Sequence, residues 1–305
     1  MSGVGTPRHE PVPIGEVTEP PFARPPDPAT LFQTRADRLR RLSEGHALSP
    51  YLCFLAALSE AQHRAQDGLE APDMPAEDVL ERSRKSGMPP LDRSAFTLDA
   101  AFASTLARVL SLVDDIDMPA PARSALARAG AVDPEGREQM VRAVLVDAIP
   151  VESLADHLFV AAALQVHFSR RASRLDVKRL VPVGEGACPA CGAPPVASMV
   201  VGWAGAHNAR FCACSLCSTF WNVVRIKCAL CGSTAKIGYQ QIAGSDGELL
   251  AETCDNCHCY VKVLQQVQNP WLDPVADDVA SLALDLMLRD KGYRRGAVNP
   301  FLLGY

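Results

Sequence analysis

Eight cysteines form a four-cysteine pattern that occurs twice, and this repeat constrains the possible folds of the chain more than any other feature. Cys188-x2-Cys191 and Cys214-x2-Cys217 are separated by 22 residues, and Cys228-x2-Cys231 and Cys254-x2-Cys257 repeat that spacing 40 residues later. A Cys-x2-Cys turn brings two thiolates within reach of one ion, and two such turns complete a tetrahedral site. The pattern therefore predicts two metal ions per chain, iron or zinc, each held by four thiolates.

The equal spacers favour sequential pairing, in which the first two motifs hold one ion and the last two hold the other. Each spacer is long enough for a strand, a turn and a returning strand. Crossed pairing, which joins the first motif to the third and the second to the fourth, is the alternative. The predicted metal ligands are Cys188, Cys191, Cys214, Cys217, Cys228, Cys231, Cys254 and Cys257.

Disulfides or buried free thiols are the other uses such cysteines could have. Residues 1–26 hold seven prolines and no apolar run, so they predict a disordered tail and no secretory signal. The longest apolar runs, Tyr51–Leu58 and Leu158–Leu164, are too short to span a bilayer. These features predict a cytoplasmic protein without membrane insertion, where clustered thiols bind metal. Oligomeric state is not specified by the sequence.

An α-helical bundle domain is predicted over residues 27–180. Asp27-Pro28 and Ser49-Pro50 are helix starts, with Gly45 and Gly68 as stops. Further helices are predicted at Ala76–Lys85, Leu98–Val113, Glu135–Ala148 and Ser153–Leu175.

Short β-branched and aromatic segments between glycine-rich turns characterise the metal-binding region. The predicted strands are Val196–Trp203, Asn208–Ala213, Phe220–Ile226, Lys236–Ile242, Glu248–Glu252 and Tyr260–Val267. They predict two rubredoxin-like or zinc-ribbon modules, residues 185–225 and 226–305, the second ending in a helix capped by Asp273. Asp277 and Asp278 would lie in its first turn and complement the helix dipole. The predicted class is α+β, with the helical domain followed by two tandem modules.

Three cysteines lie outside the eight-residue pattern. Cys212 and Cys259 could form a redox or sulfur-handling pair, but packed or spare thiols are the commoner outcome. Cys53, between Leu52 and Phe54, is predicted to be a small core residue.

The histidines do not predict a catalytic site. His207 and His258 are possible alternative ligands, but a complete set of four thiolates per ion leaves them no position. His157 and His167 are predicted to be half-buried structural groups. Because no nucleophile–base constellation and no nucleotide-binding loop is visible, the sequence does not predict an enzyme.

Three stretches carry a resemblance to a known family. They are Cys188-Pro-Ala-Cys191-Gly, the segment from Arg210 through Trp221 to Cys228, and Glu252-Thr-Cys-Asp-Asn-Cys257 with Tyr260-Val-Lys262. With the closing run Ala276–Asp285 and Asn299-Pro-Phe301, they resemble the FdhE-type formate dehydrogenase accessory proteins. The resemblance implies a bacterial cytoplasmic factor with a helical domain and two rubredoxin-like modules. It also implies that the protein is required for active formate dehydrogenase and contacts its catalytic subunit before export.

Two rival functions follow from the metal modules alone: a nucleic-acid-binding zinc ribbon, or an electron carrier with iron. Residues 186–265 contain five basic and four acidic side chains. Two divalent ions with eight thiolates add about −2 per site, so the region carries roughly −3. Because phosphate binding needs the opposite sign, no nucleic-acid partner is expected.

The expected client surface lies between the metal modules and the helical domain, near Arg210, Trp221 and Arg225, since arginine and tryptophan are common interface anchors. The alternative for Trp221 is that it fills the small core of the first module.

Overall fold

The computed structural model describes residues 19–302. The predicted disordered tail, residues 1–26, is wrong at its end, because Ala23–Arg24 form a strand, β1. The Phe22 carbonyl accepts a hydrogen bond from the Asn222 N–H at 2.8 Å, which attaches this segment to the first module. Residues 1–18 of the predicted tail lie outside the described residues.

Seven α-helices form the amino-terminal half. They are α1 Leu31–Ser43, α2 Ser49–Ala65, α3 Glu77–Lys85, α4 Ala100–Asp114, α5 Ala120–Ala131, α6 Pro134–Leu145 and α7 Leu154–Ala172. Six match predicted helices within a few residues, and α5 was not predicted. Pro119 and Pro121 look like helix breakers in the sequence, but Pro121 lies in the first turn of α5, where a missing N–H costs nothing.

Helix α7 is the central element of the helical domain. Every residue from His157 to Ser169 is buried except Leu158, which is partly exposed, because α4, α5 and α6 pack around the helix. Phe102 of α4 and Phe159 and Phe168 of α7 are at most 1% exposed. Among residues 19–302, no helix combines the length and the apolar character that crossing a bilayer requires.

The second half forms one sheet, which confirms the α+β class. Its strands are β2 Pro195–Val200, β3 Arg210–Cys214, β4 Phe220–Val223, β5 Ile237–Gln240, β6 Leu249–Cys254, β7 Cys259–Gln265 and β8 Arg294–Arg295. The strand order is β1-β4-β3-β2-β7-β6-β5, with β8 also paired to β7.

The two modules share this sheet, so they are not structurally independent of each other. Strand β2 of the first pairs in parallel with β7 of the second, with Ser198 opposite Val263. A buried ion pair adds to the junction: Arg210 of β3 and Glu252 of β6 are 2% and 1% exposed at their side chains. Because these contacts join segments 42 or more residues apart, the local spacing of cysteines does not predict them.

The predicted carboxy-terminal helix is two helices, α8 Ala276–Ala280 and α9 Leu282–Asp290, separated at Ser281. The N-cap of α8 is Val275, two residues after the predicted Asp273, although Asp273 Oδ1 accepts hydrogen bonds from the N–H groups of Val275 and Ala276 at 2.9 and 2.8 Å. The aspartate pair in the first turn does more than complement the helix dipole. Asp277 accepts from both Nε and Nη2 of Arg38 on α1.

Asp278 belongs to a buried charge cluster behind the second module. It pairs with Lys262 of β7 and Arg295 of β8, which also pair with Asp285 of α9. The Tyr260 hydroxyl donates to Asp285 at 2.7 Å. Two cations and two carboxylates therefore balance within this cluster and attach the carboxy-terminal helices to the sheet.

Candidate metal centres

The first candidate centre consists of Cys188, Cys191, Cys214 and Cys217. Their Sγ atoms all lie within 4.8 Å of one another. Cys188 and Cys217 Sγ are 3.6 Å apart, and Cys191 and Cys214 Sγ are 3.4 Å apart. The first motif precedes β2, and the second begins at the last residue of β3, so the β2–β3 hairpin brings both to one end of the sheet.

The second candidate centre consists of Cys228, Cys231, Cys254 and Cys257, again within 4.8 Å. Cys228 and Cys257 Sγ are 4.0 Å apart, and Cys231 and Cys254 Sγ are 3.8 Å apart. The β6–β7 turn carries the last two, and the loop before β5 carries the first two. The thiols therefore lie in the sequential groups, and the crossed arrangement is not the one in the structure.

These distances fit a four-thiolate metal site. Metal–sulfur bonds of about 2.3 Å at tetrahedral angles place the sulfurs about 3.8 Å apart. The four sulfur–sulfur distances given above, 3.4 to 4.0 Å, bracket that value. Iron and zinc both accept such a set, so the geometry does not select between them.

Matching backbone turns shape the two leading motifs. The N–H of Gly192 donates to the Cys188 carbonyl at 2.8 Å, and the N–H of Gly232 donates to the Cys228 carbonyl at 3.0 Å. Both glycines have positive φ, 76° and 74°, which a side chain disfavours.

Hydrogen bonds to sulfur come from residues that sequence reasoning did not select. In the first centre, the N–H groups of Leu216 and Cys217 donate to Cys214 Sγ, and Cys217 Sγ donates to the Thr219 hydroxyl at 3.2 Å. In the second, the Asn256 amide donates to Cys231 Sγ at 3.7 Å. The bonds that a sulfur accepts favour the thiolate that a metal needs. A hydroxyl or amide one or two residues from a ligand cysteine is the signal that could have identified them.

The two centres differ in exposure. All four cysteines of the first are at most 1% exposed, whereas Cys231 and Cys257 of the second are partly exposed. Burial raises the pKa of the Cys188 and Cys191 thiols well above the usual range. At Cys231, burial favours the neutral thiol, but hydrogen bonds from the Ser233 N–H and Asn256 outweigh it and lower the pKa to about 7.

The helical domain covers the first centre. The N–H of Leu91, in the α3–α4 connection, donates to the Ala190 carbonyl at 2.9 Å, and the N–H of Arg93 donates to the Cys191 carbonyl at 3.1 Å. From α7, the Gln165 amide donates to the Ser215 carbonyl at 2.9 Å. Both motifs of the first centre are thus hydrogen-bonded to the helical half, one to the α3–α4 connection and the other to α7.

The three remaining cysteines lie apart from the two centres' ligand sets. Cys212 is buried on β3, and burial raises its pKa to about 12. It lies two strands across and four residues along from Cys259 on β7, about 16 Å by strand spacing, so the two do not form a pair. Cys53 is exposed, which contradicts its predicted core position, because α2 buries Leu52 and Leu55 on its other side.

Within residues 19–302, neither thiol group includes a histidine. His207 and His258 are both exposed. His157 is buried and its Nδ1 lies 2.8 Å from the Ser153 carbonyl. His167 packs edge-on against Phe96 and Phe102. Burial lowers the pKa of His167 to about 4.

Of the three residues predicted near the client surface, two are buried. Arg210 is 2% exposed and paired with Glu252, and Trp221 is 5% exposed within β4, so both are internal. The alternative for Trp221, a place in the core of the first module, is the one observed. Arg225 is exposed.

Comparisons with known proteins cover nearly the whole chain. Three family models match: "FdhE, N-terminal" over residues 20–185, "FdhE, central domain" over 187–225 and "FdhE, C-terminal domain" over 226–302. A Protein FdhE homolog of Rhizobium meliloti (strain 1021) is 46% identical over 298 residues, 97% of each chain. Protein FdhE of Escherichia coli (strain K12) is 33% identical over 279 residues, covering 89% of this chain and 88% of the relative.

A solved structure gives the same result. The crystal structure of the FdhE protein from Pseudomonas aeruginosa has a TM-score of 0.84 and 32% identity, and covers 93% of this chain and 99% of its own. The three family models together match residues 20–302, which include the helical domain and both four-cysteine groups. This protein belongs to the FdhE family.

Proposed function

We propose that this protein is a cytoplasmic accessory factor for formate dehydrogenase, which binds the catalytic subunit of that enzyme and does not itself oxidise formate. Membership of the FdhE family supports the accessory role. The observation that carries the proposal furthest is the pair of four-cysteine groups in a chain that matches FdhE relatives along almost its full length.

The eight cysteines are, in this proposal, the ligands of two ions, one per group. Small ribbon modules bury too little apolar surface to fold on that basis alone, so metal binding contributes folding free energy. The ions thereby hold the sheet in the shape that a client recognises. Partial exposure of Cys231 and Cys257 also suits electron transfer, and a reversible iron redox couple at the second centre would favour that role.

A surface at the junction of the modules is the proposed client site. Ten large apolar side chains are exposed among residues 19–302, and four of them fall within residues 224–242. Three of these, Val224, Ile226 and Tyr239, are 59%, 73% and 50% exposed, and with Arg225 we call them the junction surface. The Tyr239 hydroxyl donates to the Arg225 carbonyl at 3.3 Å, so the two segments are contiguous.

The surroundings of the junction surface favour an acidic and apolar partner. A cavity of about 350 Å³, lined by Phe22, Trp221 and Val223, adjoins it through Val224. Arg225 is exposed, and its guanidinium reaches only the Asn208 carbonyl, at 3.5 Å, among the described residues. The apolar side chains of a client segment would bury Val224, Ile226 and Tyr239, and a carboxylate on the same segment would pair with Arg225.

Co-purification of the catalytic subunit with tagged variants tests the proposal. Ile226→Ser together with Tyr239→Ser is expected to lower the recovered subunit at least tenfold while two metal equivalents remain. Val151→Ser, a 76% exposed position on the helical domain, is the matched control and should recover the normal amount. Deletion of the gene should abolish formate-dependent dye reduction with the enzyme transcript still present. Normal activity in the deletion strain would contradict the accessory role.

A further inference from the structure

A cavity of about 260 Å³ lies between α1, the first module and the start of α8. Its walls include Arg24, Thr34 and Arg35 from the amino-terminal segment and α1, and Cys214 and Ser218 from the second motif of the first centre. Asp27, Gln266 and Asp273 also line it, and most of the remaining wall is apolar, including Met199, Trp203, Phe220 and Leu272. We call this space the Arg35 cavity. It is slightly smaller than the sites that hold drug-sized ligands.

The guanidinium of Arg35 is buried there without its full set of hydrogen bonds. Arg35 is 1% exposed. Its Nη1 donates to Gln165 Oε1 at 3.2 Å, the one hydrogen bond it makes to residues 19–302. Its Nε lies 3.5 Å from Asp273 Oδ1 but forms no hydrogen bond, and that oxygen already accepts from two backbone N–H groups. Arg35 Nε is therefore a buried donor without an acceptor, and Nη2 makes no hydrogen bond to residues 19–302.

Two other arginines with little exposure, Arg210 and Arg295, use all three of their side-chain nitrogens as donors, unlike Arg35. Arg210 donates from all three nitrogens, to Ser198, to Glu252 and to backbone carbonyls. Arg295 also donates from all three, to Ala297, Asp285 and Asp278. A buried donor without an acceptor is destabilising, and more so when it is charged. An acceptor from outside the described chain would remove that cost at Arg35.

The chemistry of the cavity identifies the class of acceptor. Nε and Nη2 form the side of a planar fork that matches the two oxygens of a carboxylate. Asp27 and Asp273 balance the charges of Arg24 and Arg35 in the wall, so a dianion such as phosphate would be repelled more strongly than a monoanion. The apolar lining then requires an apolar group on the ligand. Arg24, exposed and stacked 4.4 Å over the Trp203 ring, adds a second cation at the wall.

We propose that the Arg35 cavity binds a monocarboxylate with a small apolar body, its carboxylate held by Nε and Nη2 of Arg35. The ligand would lie against Cys214 of the first centre and touch α1 and α8 at once. Two sources share this chemistry: a free aliphatic acid, or the terminal carboxylate of a polypeptide ending in an apolar residue. This inference goes beyond the accessory role and does not depend on it.

Calorimetric titration of the metal-loaded protein with linear acids from acetate to hexanoate tests the proposal, with Trp203 fluorescence as a second signal. Each added CH2 is expected to tighten binding about fourfold, from an apolar transfer free energy of about 0.8 kcal/mol. Hexanamide, which lacks the charge, should bind at least tenfold more weakly than hexanoate. Tripeptides ending in leucine, as free acid or as amide, distinguish the second source: a free-acid peptide tighter than hexanoate assigns the cavity to a polypeptide terminus.

Two variants separate the cavity from general ion binding. Arg35→Met should abolish carboxylate binding, while Arg40→Met, on the exposed side of the same helix, should leave it unchanged. Thr34 is exposed and lines the cavity, so Thr34→Trp would cover the opening without changing Arg35. Loss of binding in Thr34→Trp, with an unchanged melting temperature, supports the proposal even where Arg35→Met fails to fold. Binding that is independent of chain length, or that survives Thr34→Trp, would overturn it.

Discussion

The two four-cysteine groups share one motif and one spacing but have different surroundings. The first lies in the main core of the molecule, with its cysteines among apolar residues of the helical domain. The second belongs to a module whose separate core contains Ala251, Tyr260, Leu284 and Leu288. The ligand spacing therefore determines the geometry of a centre, whereas the elements packed against it determine its accessibility. From that contrast we expect an ion at the first centre to be structural and an ion at the second to exchange more readily.

Removal of each centre in turn should give the largest difference. Cys188→Ser with Cys191→Ser should lose the first ion and, with it, the contacts that Leu91 and Arg93 make. Structural zinc sites contribute about 10–16 kcal/mol to folding, as much as the whole stability of a typical domain, about 5–15 kcal/mol, so this variant should be unfolded or insoluble. Cys228→Ser with Cys231→Ser should stay soluble, keep its helical circular dichroism and retain one metal equivalent.

Equal behaviour of the two double variants would contradict the contrast between the centres. In the second variant, Cys254 and Cys257 should react with iodoacetamide while Cys188 and Cys191 stay protected. That pattern also checks the sequential pairing, since crossed ligands would expose Cys188 and Cys191.

The ion pair across the modules should give the next largest effect. Glu252→Ala leaves the Arg210 guanidinium buried and unpaired, which typically costs about 3–5 kcal/mol. Glu185→Ala is the control, because its pair with Lys227 is partly exposed and such pairs are worth at most about 1 kcal/mol. Urea denaturation of both variants measures the difference. Similar midpoints would mean that the modules are not coupled through this pair.

Local sequence signals predicted most elements but not how they join. Proline and aspartate at helix starts and the cysteine spacing located most of the helices and both thiol groups. The parallel β2–β7 pairing was not predictable, because strands 65 residues apart carry no local signature of their partner. For the same reason Arg210 looked like a surface residue: its partner, Glu252, is 42 residues away. Helix α5 was missed because proline has opposite effects at the start and in the interior of a helix.

Acid should weaken the helical side that covers the first centre. His167 on α7 has its pKa lowered from 6.5 to about 4 by burial. Because the unfolded chain binds this proton more tightly than the folded protein, the free energy of unfolding falls as pH drops from about 6.5 to about 4. The full difference corresponds to about 3 kcal/mol.

A His167→Phe variant should lose that part of the pH dependence. The free energy of unfolding of both proteins is measured between pH 7 and pH 4.5. The difference between the two curves gives the contribution of His167, because acid release of metal affects both proteins alike. Parallel curves would show that His167 does not titrate in this range.

The smallest expected difference concerns the two turn glycines. Alanine at either position must adopt positive φ, which costs about 1–2 kcal/mol. A Cβ at Gly192 would lie 3.2 Å from the Pro89 ring, whereas one at Gly232 meets the flexible ends of Glu185 and Lys227. Gly192→Ala should therefore lower the melting temperature more than Gly232→Ala. The reverse order would mean that the helical cover over the first centre is not tightly packed.

Site-resolved metal release tests the central claim most directly. The metal-loaded protein is exposed to a chelator and iodoacetamide, and the modified cysteines are identified by mass spectrometry as each metal equivalent leaves. The account predicts that the ion of the second centre leaves first and that Cys231 and Cys257 are modified as it leaves. Modification of Cys188 and Cys191, with loss of the ion of the first centre, should be at least tenfold slower. Simultaneous modification of all eight cysteines, or earlier modification of Cys188 and Cys191, would contradict it.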